Sequence, residues 1–132
     1  MTVVGMIEQY NIERPNSVED SVKKEYLRKC EAGILEGVIL LYDPLIGERT
    51  DEEWEEHLET FDYDTQLIVN EPFDDIYMYY LDQRIALNNN DTKRYNIASR
   101  LYDNLFLGFK QKYNREHFPR QTRKMLFRHE VL

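Results

Sequence analysis

The sequence predicts an all-α protein, a small bundle of about four to five helices with a long C-terminal helical hairpin and an extended C-terminal tail. Three observations predict it. Apolar residues recur at three- and four-residue steps through most of the chain, capping residues stand at the breaks between those stretches, and a turn at Asn88–Asp91 separates the two clearest of them. Residues 1–117 are expected to form the bundle and 118–132 the tail.

The first stretch, from Val3 to Ile12, puts Val3, Met6, Ile7 and Tyr10 on one helical face and ends at Arg14-Pro15-Asn16. Ser17 is placed to cap a long second helix, with Glu19 and Asp20 in the first turn, where acids favour the positive end of the helix dipole. Its expected apolar stripe is Val18, Val22, Tyr26, Cys30, Ile34, Val38 and Leu41. Gly33 and Gly37 inside it each cost roughly 1 kcal/mol against alanine, so they mark a kink or a close helix approach.

Asp43-Pro44 and Gly47 form a loop, after which Thr50 caps a short acidic helix through Thr60, with Trp54, Leu58 and Phe61 as its anchor face. From Phe61 to Pro72 there is no helical period, and Leu67, Ile68 and Val69 read as an extended linker that touches the core. Pro72 suits the first turn of a helix through Leu87, with Phe73, Tyr77, Tyr80 or Leu81, and Arg84 or Ile85 inward. Asn88–Asp91 turns the chain, and the last long helix, Thr92 to about Tyr113, carries Tyr95, Ala98, Tyr102, Leu105 or Phe106, Phe109 and Tyr113 on one face.

The 132 residues suit one domain, and 42% hydrophobic content is too rich for a disordered chain. Apolar runs such as Val38–Tyr42 are far too short to span a bilayer, and the N-terminus lacks the order of a signal peptide, so neither membrane insertion nor export is expected. Cys30, the only cysteine, reads as a buried thiol in a reducing compartment. The net charge of -8 hides a segregation: residues 1–82 carry -15 and residues 83–132 carry +7. Such a chain can stack head to tail or dock on a partner of complementary charge.

Each catalytic or metal constellation fails on spacing. Glu53, Glu56 and His57 lack the second histidine or the acid that zinc or di-iron helices require. Asp62, Asp64 and Gln66 open like a calcium loop, but Leu67 replaces its glycine and Phe73 its closing glutamate. His117 and His129 have no ligand at metal spacing, and no phosphate-cradling glycine loop or nucleophile elbow occurs, so no cofactor, metal or catalytic residue is expected. The ten tyrosines, with Tyr77, Tyr79 and Tyr80 close together, suit core packing first and subunit contacts second. Beyond Pro119 the tail mixes basic and apolar side chains with a single aromatic, Phe127, among them, which fits protein docking first, a loose tail second and nucleic-acid binding last.

Four segments taken in order carry a resemblance. Tyr10-Asn11 through Arg14-Pro15-Asn16-Ser17, then Glu71-Pro72-Phe73-Asp74-Asp75-Ile76-Tyr77, Arg94-Tyr95-Asn96, and Tyr113-Asn114-Arg115-Glu116-His117-Phe118-Pro119 resemble the head-tail connector (adaptor) proteins of phages of Gram-positive bacteria. The likeness runs over nearly the whole chain. Asn70, Phe73 and Phe118 depart mildly from the pattern, where proline, tyrosine and methionine are common, and the acidic insert 48–64 carries no family inference.

The resemblance implies a homo-oligomeric ring of about twelve subunits closed by cyclic symmetry. The ring would join the portal protein to a tail-side stopper in the virion neck, after synthesis in the host cytoplasm, and let DNA pass without specific binding or catalysis. Acidic channel walls, which repel phosphate, agree with that role. By position the portal-docking residues would be Phe118, Arg120, Arg123, Lys124, Met125, Leu126, Phe127 and Arg128. The alternative from another class is a small acidic phage-encoded regulator or inhibitor that mimics DNA.

Overall fold

A computed structural model describes residues 1–120 of the chain. Five helices run in order: α1 (Val3–Glu13), α2 (Asp20–Gly37), α3 (Asp51–Glu59), α4 (Ile76–Asn88) and α5 (Thr92–Glu116). A 3-10 turn (Ile39–Leu41) follows α2, and two short strands, β1 (Tyr42–Asp43) and β2 (Phe118–Pro119), pair antiparallel. The helical bundle is therefore as expected, with one small sheet added. Residues 121–132, which hold most of the predicted tail, lie outside the described residues.

Helix α1 buries Val3, Met6, Ile7 and Tyr10, the predicted face. Its first backbone N–H groups need acceptors from outside the helix. Val3 and Val4 donate to the carbonyls of Thr65 and Tyr63 at 2.9 and 2.8 Å, and Thr2 Oγ1 accepts from Gly5 N–H at 3.1 Å. The linker thus caps the first helix, which explains how a stretch without helical period buries Leu67 and Val69.

Helix α2 departs from expectation at both ends. It begins at Asp20 after Glu19, because Asn16 Oδ1 takes the Val18 N–H into a turn and Ser17 caps nothing. It ends at Gly37, where an added Cβ would stand 2.9 Å from the Phe106 ring, so α5 crosses against the missing side chain. Its buried line is Lys23, Leu27, Cys30, Glu31, Ile34 and Leu35, while Val22 is exposed. Of the predicted stripe, Cys30, Ile34 and Val38 are buried and Val18 and Tyr26 pack against the core, while four-residue steps on a helix of 3.6 residues per turn leave Val22 facing outward. Lys23 is buried because Nζ donates to Asn11 Oδ1 at 2.6 Å and to the Val18 carbonyl at 2.7 Å, fastening α2 to the end of α1.

Helix α3 has the full capping box: Thr50 Oγ1 accepts from Glu53 N–H, and Glu53 Oε1 accepts from Thr50 N–H. Pro72 does not start α4. Glu71–Pro72 is a cis peptide in a run of turns, and the helix begins at Ile76. Helices α4 and α5 form the expected hairpin, with Asp91 accepting from Arg94 N–H as the cap. Ile76, Tyr77, Met78, Leu81 and Ile85 are buried from α4, and Tyr102, Leu105, Phe106, Phe109 and Tyr113 of α5 pack against that core.

Candidate partner interface and a buried polar network

The C-terminal end of α5 is fastened to the loop that leaves α2. His117, buried, stacks on Tyr113 with ring centroids 3.7 Å apart and planes 2° from parallel. Its Nδ1 lies 3.0 Å from the Tyr113 carbonyl and its Nε2 2.9 Å from the Glu48 carboxylate. Both partners are pure acceptors, so both bonds form together only with the imidazolium. Burial opposes ionisation of Glu48, yet the Leu45 N–H and His117 together hold its carboxyl below its ordinary value. Tyr42 donates to Asn114 Oδ1 at 2.8 Å and packs on Tyr113. Burial, then the charges of Glu48 and Glu116, push the Tyr113 phenol up to about 12.

Beyond His117, Asp43 pairs with Phe118 and Tyr42 with Pro119. Arg120 closes the clip: its N–H and Nε donate to the carbonyls of Leu41 and Leu40 at 3.2 and 2.7 Å, and its guanidinium pairs with Asp51 at the start of α3. Of the residues expected to dock a partner, Phe118 is 71% exposed and Arg120 is bound within the fold. Arg123, Lys124, Met125, Leu126, Phe127 and Arg128 lie outside the described residues. Next to the clip, Leu45 and Ile46 are also exposed, Ile46 fully, before Gly47 turns the chain at φ 89°.

A second polar constellation is interior. Glu31, with 0% exposure, accepts three hydrogen bonds: from His57 Nε2 and the Ile68 N–H, both at 3.0 Å, and from the Tyr77 hydroxyl at 2.6 Å. That hydroxyl in turn accepts from Val69 N–H at 2.8 Å. Arg49, stacked over Trp54, reaches His57 Nδ1 at 3.3 Å. A guanidinium only donates, so Nδ1 accepts and the proton sits on Nε2, facing Glu31. Burial, followed by the Glu31 charge, raises both the Tyr77 phenol and the Cys30 thiol well above their ordinary values. These groups stay protonated at neutral pH, so the thiol is not a nucleophile.

The network joins α2, α3, the 61–72 linker and α4, and every buried side-chain nitrogen and oxygen among the described residues has a partner. Its groups are saturated by one another, which suits a structural tie and not a reacting centre. The spacing of His57 with Glu53 and Glu56 points only toward a metal pattern, which it does not complete. The available signal was that His57 stands beside Leu58 in the anchor face and Glu31 three residues before Ile34, both on lines that should be dry. Among the described residues no group of three His, Cys, Asp or Glu side chains is arranged to hold a metal, and no helix is long and apolar enough to cross a membrane.

The fold and this end of it define a small helical bundle in which Phe118–Arg120 is clipped to the loop after α2. Compared with family models, curated proteins and solved structures, the chain has no match.

Proposed function

We propose that the chain is a structural subunit of a tailed-phage neck, a head-tail connector that forms a ring between the portal and a tail-side protein. In this reading the segment from Phe118 onward is the portal-binding element, and the subunit performs no catalytic step. The observation that supports it most is the clip at Phe118–Arg120: three tethers fix these residues to the bundle with Phe118 at the surface. In sequence, Arg123, Lys124, Met125, Leu126, Phe127 and Arg128 join apolar anchors to positive charge, the mixture that protein interfaces use. The four ordered segments that resemble connectors, and the excess of acid in residues 43–72, agree with it.

The test is binding of the full chain to purified portal, set against a chain truncated after Arg120 so that the clip is kept. The full chain co-migrates with portal and the truncated one does not; binding that survives the truncation overturns the docking assignment. A second reading, a regulator that mimics DNA, is favoured by α3 alone, whose Glu52, Glu53, Glu55, Glu56 and Glu59 are exposed on one short helix. Competition by the full chain for a DNA-binding enzyme, with no affinity for portal, decides for that reading.

A further inference from the structure

Two surfaces lie uncovered at opposite ends of α5. Near its N-terminal end a groove of about 490 Å³ opens between the α1–α2 connection and the α4–α5 hairpin, lined by Val18, Ile85, Ala98, Ile97 and Leu101. Ile97 and Leu101, four residues apart and so neighbours on one helix face, are both exposed. The charged groups of the groove neutralise each other: Arg14 Nε donates to Asp82 at 2.8 Å, and Arg94 faces Asp91 at 3.4 Å. Lys93 and Arg100, four residues before and three after Ile97, add positive charge to the same outer face.

At the other end stands the Leu45–Ile46 turn. Glu48 holds it from both sides, since its carboxylate accepts from Leu45 N–H at 2.9 Å while its own N–H donates to the Leu45 carbonyl at 3.0 Å. Through His117 the same carboxylate ties the turn to α5. The turn is therefore a rigid apolar knob, flanked in the chain by the exposed acids Asp43 and Glu52, while Asp51 is neutralised by Arg120.

We propose that the Leu45–Ile46 knob of one copy seats in the Ile97–Leu101 groove of the next, the subunit contact of the assembly proposed above, on which this inference rests. Charge selects the occupant: Asp43 and Glu52 beside the knob meet Lys93 and Arg100 on the outer face of α5. The two surfaces cannot meet within one chain, because the helix from Leu101 to Glu116 holds them about 22 Å apart. A knob and a groove on different patches make a head-to-tail contact, which closes into a ring where a symmetric contact would stop at a dimer.

Cysteine cross-linking of the full chain tests it, with and without portal, under mild oxidation and with buried Cys30 left in place. An equimolar mixture of the single variants I46C and L101C gives a covalent dimer and nothing larger, whereas the double variant I46C/L101C gives a ladder of oligomers. I97C serves as a second groove position. Ile46→Asp, at a fully exposed site and so harmless to folding, weakens self-association roughly tenfold or more. Oligomers of the wild-type chain by native mass without a cross-link at either groove position overturn the contact and leave the ring reading standing. Covalent dimers of I46C alone show a symmetric contact and also overturn it. No oligomer in any condition overturns both.

Discussion

Replacing Glu31 by glutamine changes one buried atom and is the sharpest probe of what holds the four segments together. The carboxylate accepts from three donors, with His57 and the Ile68 N–H sharing one oxygen and Tyr77 on the other. A carboxamide offers one oxygen and a donating NH2. In its mildest setting the oxygen keeps His57 and Ile68 and the NH2 donates to the Tyr77 hydroxyl, whose own proton then has no acceptor. In the other setting His57 and the Ile68 N–H both face the NH2. Hydrogen bonds to a charged group contribute about 1.5–3 kcal/mol and neutral ones about 0.5–1.5, so the surviving bonds lose about 1 kcal/mol each. The orphaned donor adds about 1–3 kcal/mol, and relief of the buried charge offsets part of the sum. A net loss of about 3 kcal/mol is expected, a fall in melting temperature of about 10 °C for a chain of this size. Urea unfolding followed by far-ultraviolet circular dichroism measures it. Tyr77→Phe, which also strands the Val69 N–H, should combine with Glu31→Gln less than additively, because both remove the same bond. A Glu31→Gln chain within about 0.5 kcal/mol of wild type would refute the account of the network as a tie.

The two glycines of α2 should respond in opposite directions to alanine. Gly33 has nothing within reach of an added Cβ and should gain about 0.5–1 kcal/mol, whereas Gly37 meets Phe106 at 2.9 Å and should lose about 1–3, both read by thermal melts. Thr50→Ala removes the capping box and should cost about 1 kcal/mol, seen as faster amide exchange confined to the first turn of α3. The carboxyl of Glu48 is lowered from 4.5 in the folded chain, so its contribution is complete above that value and is lost as pH falls through the lower folded one. Glu48→Gln should therefore destabilise the chain near neutrality and converge with wild type in acid; a gap that persists in acid contradicts the tie between Glu48 and His117.

What the sequence could tell depended on whether a contact is local. The α1 face, the Thr50 box and the hairpin stripe are set by residues three or four apart, and each is where periodicity put it. Helix α2 is legible only in part, because its dry side contains Lys23 and Glu31, which hydropathy assigns to water. Both are buried only because distant groups satisfy them, Asn11 in one case and His57, Ile68 and Tyr77 in the other. Pro72 was misread because a proline that suits a first helical turn also suits the turn before it. Likewise the candidate interface was visible as an apolar and basic C-terminal run, but its root was not. Glu48 with His117, Asp51 with Arg120 and Tyr42 with Asn114 pair residues that no local pattern links.

The strand pair that ends the described chain also decides how a mechanical load would travel. Traction on the C-terminus would reach Arg120 and the two-residue ladder first, and pass through the carbonyls of Leu40 and Leu41 into the stem of α2. The force is diverted before it can peel α5 from its neighbour. A subunit hauled on by its C-terminal end would thus first unzip a short clasp, and only after that would the whole load fall on the hairpin that closes the core.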